Sequence, residues 1–408
     1  MPTDTSAIIE LSQTISTLAK NFGAGSDPEK ECQDALVRAA EQLAVAARDP
    51  EENMYHLAGQ IRDIQLSHNA AIRSVISMGL IDVLPEDGSA MSVDDLASHL
   101  KINRDLVGRF LRACASTDFF SSPSVNHYAH NALSRTFLSP DSRALFAQMY
   151  DFTGEGVLAI PRFGDSVNWQ TAGDYYRGPF QLAVSTDLGY WEYLAAHPER
   201  MKSFNTGMRV GKIGRRASAF PFGEALALDP CEANEVAIVD VGGGRGQSLE
   251  AIREDWPGVT GRWVLQDLPG VISDAKAKGV PEYIEAMPLS FFEEQPVKGA
   301  RIYYFRRIFH CWSQEKSHQI LENTRQSMNE FSRVIIADMV LPDTDCPRDL
   351  AMQDLNMMSL GGIERSTSEW RQLLESAGLI LEKVWLNEDG PKHAMIEAVL
   401  PGFKGGRL

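Results

Sequence analysis

The chain is 408 residues long, more than one hydrophobic core ordinarily supports, so two domains or an added assembly segment are expected. With 55 acidic against 39 basic side chains the formal charge is −16, which argues against nucleic acid and anionic membrane surfaces, since binding either needs a basic face that neutralises phosphates. Apolar residues make up 44 %, enough for real cores, and the expected partner is a small molecule.

In chain order, residues 1–60 carry two helical patterns, Ser6 to Ala19 and Glu29 to Ala47, separated by the loop NFGAGSDP. The apolar positions Ile8, Ile9, Leu11, Ile15 and Leu18 need a partner surface, which suits either a dimerisation arm or an ordinary packed cap. Residues 61–140 alternate short helices with polar turns: AIRSVISMGLIDVL, then SVDDLASHL with Ser92 as its N-cap, then NRDLVGRFLRACAS with Asn103 as its cap. The pattern is winged-helix-like. In isolation it would suggest DNA binding, but the acidic balance and only Arg104, Arg109 and Arg112 on the last helix speak against that. His130, ahead of Ser134 and Thr136, reads on residues alone as a capping or packing histidine in a polar loop.

Residues 141–225 read as helices and an aromatic-rich loop, with Phe180, Trp191, Met201, Phe204 and Met208 as candidates to line a pocket for a flat ligand. Aromatic and Met stripes at helical spacing also build cores. From 226 to 408 the pattern becomes strand, helix, strand, helix: VAIVDV, Gln247 to Glu254, RWVLQD, Pro269 to Lys278, YIEAM, RIYYF, RVIIADM, LEKVWL and HAMIEAVL. Such alternation predicts a doubly wound parallel sheet that binds ligands at the carboxyl ends of its strands.

The first strand runs into Gly242, Gly243, Gly244 and Gly246, glycines that let backbone N–H groups approach a ligand. Asp267 stands at the end of the second strand, about 20 residues on, where a carboxylate accepts both ribose hydroxyls. A nucleoside is therefore expected. The third position of a dinucleotide G-x-G-x-x-G pattern is Gln247 here, which disfavours a pyrophosphate and leaves a smaller, cationic nucleoside.

Five cysteines (Cys32, Cys114, Cys231, Cys311, Cys346) are widely spaced without a C-x-x-C pair, so neither a disulfide framework nor a metal site is expected. The start MPTDTSAIIELSQTI lacks the features of a signal peptide and no apolar run reaches a membrane span, so a cytoplasmic location is expected.

The ordered segments VDVGGGRG, LQDLPGVI, YYFRRIFHCW, IIADMVLPD and LNMMSLGGIERSTSEWRQLLESAGL resemble the motifs of S-adenosylmethionine-dependent small-molecule O-methyltransferases, closest to the fungal secondary-metabolite branch of the caffeic-acid-type family. The resemblance implies a class I methyltransferase, Rossmann-like α/β fold, an N-terminal helical domain that makes a homodimer, and S-adenosylmethionine as cofactor. It implies cofactor contacts at Asp240, Gly242, Gly244, Asp267, Leu268, Ser290, Phe291 and Arg306. His310 is implied as general base, with Asp338 and Glu364 as its acidic partners and Arg306 beside them. Substrate contacts are implied around His130, Phe180, Trp191, Met208, Trp312 and Met357. The expected reaction is O-methylation of a hydroxylated aromatic or enolic secondary metabolite.

Two positions depart from the family. Cys311 stands in a usual His-Asp-Trp, and Ser290 replaces a frequent acidic residue. Some fungal relatives keep the cofactor as a fixed positive charge and catalyse pericyclic reactions or dehydrations. That is the alternative expectation, with Arg306 and His130 as hydrogen-bond donors.

Overall fold

The computed structural model describes residues 5–21, 29–47, 65–207, 219–387 and 390–408. The chain divides into two units, Met1–Arg143 and Ala144–Leu408.

In the first unit, helices Thr5–Asn21 and Glu29–Ala46 pack together, with Leu11, Leu18, Ala35 and Ala39 lining one groove between them. The expected caps form: Ser92 Oγ accepts from Asp95 N at 3.1 Å to start helix Val93–Leu100, and Asn103 Oδ1 accepts from Asp105 and Leu106 N at 3.0 and 3.1 Å to start Arg104–Ala115. Leu80, Leu96, Val107, Leu111 and Phe119 are fully buried on the inward faces of these helices and turns. A small antiparallel sheet that helical periodicity does not foretell joins them, β1 (Met91–Ser92), β2 (Ser121–Ser124) and β3 (His127–Ala129) in the order β1-β3-β2.

The second unit carries helices over 155–207, among them Pro179–Val184, Tyr190–Ala196 and Pro198–Gly207, and then the sheet. Its strands are β4 (Val236–Val241), β5 (Arg262–Asp267), β6 (Ile284–Pro288), β7 (Ile302–Arg306), β8 (Arg333–Asp338), a short β9 (Val340–Leu341) and β10 (Arg365–Ser366) pair, β11 (Ile380–Asn387) and β12 (Gly390–Val399). The order across the main sheet is β11-β12-β8-β7-β4-β5-β6. Alternation along each strand sends Val239, Val241, Tyr303 and Phe305 into one core and Ile238, Leu265, Ile302 and Tyr304 into the other, so both faces are covered.

Strands β4 to β8 are parallel, as expected. The last two strands correct the purely parallel expectation: β12 inserts antiparallel between β8 and β11. A tight hairpin allows only antiparallel pairing, and β11 and β12 are too close in sequence for a crossover helix. Strand order reverses at β4, whose neighbours are β5 on one side and β7 on the other, so the carboxyl ends of β4 and β7 flank a switch-point crevice.

The amino end of β8 is closed by a charge cluster. Arg333, 2 % exposed, donates from Nε to Glu397 Oε1 at 3.0 Å on β12 and from Nη1 to Asp229 Oδ2 at 3.2 Å. Its guanidinium also meets the Gly406 carbonyl and lies 4.6 Å from the Phe403 ring centre. Removing one member of a buried ion cluster strands the others, so Arg333→Ala is expected to cost about 3–5 kcal/mol of unfolding free energy, read from urea denaturation. A loss below ~1 kcal/mol would show the cluster to be dispensable.

Candidate active site

At the carboxyl end of β4 the chain must turn sharply while leaving its N–H groups accessible. Gly242 does this at φ +73°, and a Cβ there would meet Ile308 Cδ1 at 2.6 Å, so only glycine fits. Gly242 N and Gly243 N donate to the Gln266 carbonyl at 2.8 and 3.1 Å, tying the turn to the end of β5. Asp267 is fixed by the same turn: Oδ2 accepts from Gly244 N at 2.8 Å and Oδ1 from Leu268 N at 2.7 Å. Each oxygen keeps a further lone pair for a ligand. Burial raises the Asp267 carboxyl above its ordinary pKa, against those two N–H donors.

Asp240 lies below, fully buried, with neither carboxylate oxygen hydrogen-bonded. Burial pushes it to about 7, the Arg306 charge pulling it down and Asp267 pushing it up. Arg306, ending β7, donates to Ser248 Oγ at 3.3 Å on helix Gln247–Asp255. An orphaned buried carboxyl, a turn that no Cβ can enter and a pre-oriented Asp267 together fit a cationic nucleoside. Phe291 lines the same turn, its ring 3.5 Å from where a Gly242 Cβ would lie. Leu268 is half exposed beside Asp267, and Ser290 Oγ accepts from Phe292 N at 3.3 Å, capping a local turn.

After β7 the backbone reverses at Arg307, which takes a left-handed conformation at φ 53°, and a short 3-10 turn, Phe309–Cys311, delivers His310. Two carboxylates flank its Nδ1: Glu364 Oε1 at 3.1 Å and Asp338 Oδ1 at 3.6 Å, while Asp338 Oδ2 accepts the His310 backbone N–H at 3.3 Å. Asp338 comes from the end of β8 and Glu364 from the loop before β10, so the residues that the family resemblance grouped do meet in space. With Nδ1 held, Nε2 is the nitrogen available for proton transfer. Burial of the imidazole works against its charge, yet Cys311, Asp338 and Glu364 outweigh it and hold the pKa well above the usual histidine range. Asp338 is itself raised to about 6 by burial, with His310 opposing and Glu364 adding to the rise. These three side chains are close enough together to share a cation.

Two residues that sequence reasoning missed hold the histidine turn in place. Arg365 donates to the Phe309 carbonyl at 3.1 Å and the Trp312 carbonyl at 3.2 Å, clasping both ends of the turn from a fully buried position. Gly362 comes so close that a Cβ would lie 2.2 Å from the His310 carbonyl oxygen. Both lie inside the quoted GGIERS segment. The Arg next to the candidate Glu was the available signal.

Trp312 leaves the turn toward an aromatic wall, 4.6 Å from the Tyr175 ring and 4.8 Å from Phe292 between ring centres. Trp191, Met201 and Phe204 pack at the edge of the same group. Phe180, expected as pocket lining, has no exposed surface and packs edge-on against Tyr190 and Tyr193 at 5.3 Å each, so its side chain is core behind the wall. Met357 is nearly buried, its backbone carbonyl accepting from Gly362 N at 2.8 Å. Met208 lies outside the described residues. His130 is buried in the first unit with Nδ1 on Ser134 Oγ at 2.9 Å and Nε2 on the Ile81 carbonyl at 3.1 Å, while Asn131 is the residue that caps helix Ala132–Thr136.

Comparison with known proteins fits this geometry. The O-methyltransferase domain family matches residues 173–380 and the O-methyltransferase dimerisation domain matches 65–140. The chain belongs to the O-methyltransferase family. An O-methyltransferase of Pestalotiopsis microspora is 60 % identical over 408 residues, covering 100 % of both chains. Among solved structures, OxaC in complex with S-adenosylhomocysteine and oxaline superposes with a TM-score of 0.84 at 29 % identity, covering 97 % of this chain and 99 % of that one. A pericyclic reaction enzyme follows at 0.81 and 27 %, covering 97 % and 100 %. This O-methyltransferase uses S-adenosylmethionine, and the turn at Gly242–Gly244 with Asp267 has the chemistry to hold it.

Because Gly362 has no room for a side chain, Gly362→Ala is expected to displace His310 and lower methyl transfer about 10²-fold, leaving cofactor affinity within about twofold by calorimetry. An unchanged rate would show that the position of the turn is not limiting.

Proposed function

We propose that the chain methylates a hydroxyl of an aromatic or enolic secondary metabolite, with His310 as general base. The observation that carries this reading is one imidazole with Nδ1 against two buried carboxylates, at the end of the sheet that also bears the glycine turn. Bound S-adenosylmethionine supplies a methyl on a positively charged sulfonium, which carries its own driving force. The chain's part is to position, exclude water and take a proton. Asp267 accepts the ribose hydroxyls, and Gly242, Gly244, Leu268, Ser290 and Phe291 surround the nucleoside. Asp240 and Arg306 set the charge beneath it. His310 Nε2 takes the proton from the acceptor hydroxyl as its oxygen attacks, and Asp338 and Glu364 stabilise the imidazolium that forms. Trp191, Trp312 and Met357 supply apolar surface for a flat acceptor, consistent with the aromatic wall.

The first unit is read as winged-helix-like and as the seat of a homodimer, in keeping with the dimerisation family matched over 65–140. Cytoplasmic location accords with Cys114, Cys231, Cys311 and Cys346 all being free thiols and with the absence, among the described residues, of any helix long and apolar enough to cross a membrane.

A second reading, pericyclic or dehydrating chemistry without consumption of the cofactor, is favoured by Cys311 in place of the family's acid and by the raised pKa of His310. An imidazolium is a hydrogen-bond donor, and with Arg306 it would polarise a carbonyl. The products separate the two. Methyl transfer gives stoichiometric S-adenosylhomocysteine and a product heavier by one methyl, whereas the second reading gives a product with the mass of its precursor, or of the dehydrated precursor, and no S-adenosylhomocysteine.

Four outcomes are expected. Asp267→Ala removes a charge-assisted hydrogen bond and weakens S-adenosylmethionine binding by roughly 1.5–3 kcal/mol in calorimetry, and unchanged affinity would refute the ribose assignment. His310→Ala lowers methyl transfer by on the order of 10²–10⁴-fold. Since a base must be neutral to act, activity should rise with pH through the elevated His310 pKa and level off above it. Glu364→Gln, which removes one of the charges holding that pKa up, should move the rising limb to lower pH. A limb that stays in place would mean another group titrates.

A further inference from the structure

One polar pair in the aromatic wall has no role in the chemistry above. Gln148 closes helix Pro140–Gln148 and is 1 % exposed. Directly after it the backbone takes a π-helical turn, Met149–Gly154, before resuming as helix Glu155–Ser166. Such turns are rare because they break the regular ladder, and they concentrate at functional sites. Gln148 Nε2 donates to the Tyr190 hydroxyl at 2.5 Å, while its Oε1 has no hydrogen-bond partner among the described residues. Turning the amide over only exchanges which end is left over. A buried amide end without a partner is destabilising, and a Leu or Met would fill this helical position without that penalty.

Tyr190 packs against Phe180 at 5.3 Å and Trp191 at 5.2 Å, so the pair is a polar spot in an apolar wall. Tyr190 belongs to the aromatic cluster against which Trp312 packs, and Trp312 follows the 3-10 turn that carries His310. Because the phenol accepts from Gln148, its own proton remains to be donated. Amide oxygen and phenol together present an acceptor beside a donor.

We propose that Gln148 and Tyr190 form a specificity anchor that recognises a second hydroxyl on the acceptor molecule, remote from the oxygen that is methylated. A phenolic or enolic hydroxyl both donates and accepts, so it satisfies both members of the pair at once. Gln148 is a positioning residue, since it acts on the orientation of the acceptor and not on the reacting atoms. This inference rests on the methyltransferase reading for the identity of the site.

The test compares a dihydroxynaphthalene with the corresponding naphthol lacking one hydroxyl, in wild type, Gln148→Met and Tyr190→Phe. Wild type is expected to prefer the diol by on the order of tenfold in kcat/KM, the discrimination given by a site whose buried polar groups would otherwise stay unpaired. In Gln148→Met the preference should fall to within about twofold, through KM for the diol, with S-adenosylmethionine affinity unchanged and the melting temperature equal or higher. Tyr190→Phe should lose part of the preference. The proposal is overturned if wild type shows no preference, if the preference survives in Gln148→Met, or if that variant melts several degrees lower, which would make the pair a structural brace. The same preference is read without turnover by ligand quenching of tryptophan fluorescence. Absence of S-adenosylhomocysteine in the wild-type reaction would therefore count against the methyltransferase reading while the binding preference still decides this one.

Discussion

Two carboxylates buried within hydrogen-bond reach of one imidazole cannot be placed without a cationic partner, and much of the second unit is arranged to satisfy that requirement. Asp338 and Glu364 are almost fully enclosed, and each keeps an oxygen without a hydrogen bond. Burial pushes the Asp338 carboxyl up toward its neutral form. His310 on one side, when protonated, and the buried guanidinium of Arg365 on the other oppose the negative charge of the carboxylates. Burial pulls the Arg365 pKa down to about 10, low for a guanidinium but far above neutrality, so its charge remains. The histidine is thus both the group that can leave the charge balance, by giving up its proton, and the group on which that balance depends.

The same constraint explains the local backbone. His310 reaches the carboxylates only because Arg307 reverses the chain in a left-handed conformation, Gly362 yields its side-chain space, and Arg365 grips the carbonyls on either side. None of these has chemistry of its own in the reaction. Strain of this kind persists where the surrounding structure over-determines it, and here three elements, β7, β8 and the loop into β10, converge on four residues.

Much of the sheet was legible in sequence because a buried parallel strand is nearly continuous in β-branched and aromatic residues, as VAIVDV and RIYYF are. The glycine turn and Asp267 were legible because their function fixes residue type and spacing together. His310, Asp338 and Glu364 were legible only through ordered motifs: they lie 28 and 26 residues apart, and no local periodicity joins them. What sequence did not give were the contacts set by tertiary packing. The antiparallel run of β12 depends on hairpin geometry and not on its composition. Phe180 and Trp191 look alike as aromatic residues on short helices, yet one is sealed inside and the other stands at the edge, a difference decided by how the helices between 179 and 207 rotate against each other. Gln148 carries no sequence signal of its own, because the π-helical turn after it and its unmatched amide oxygen are set by tertiary packing.

The closure of β8 also sets an order on folding as the chain is synthesised. β4 and β5 bury their core faces against later strands, Ile238 and Leu265 sharing one core with Ile302 on β7, Ile335 on β8 and Met395 on β12. Arg333 enters the sheet with its guanidinium buried, and its partners are Asp229 ahead of β4, Glu397 on the last strand and the carbonyl of Gly406. Asp229 can match that charge first, and Glu397 completes the match only when β12 has paired with β8. The last strand is thus held to β8 by a buried charge pair as well as by its backbone ladder, so a change at Glu397 on β12 is felt in the middle of the sheet.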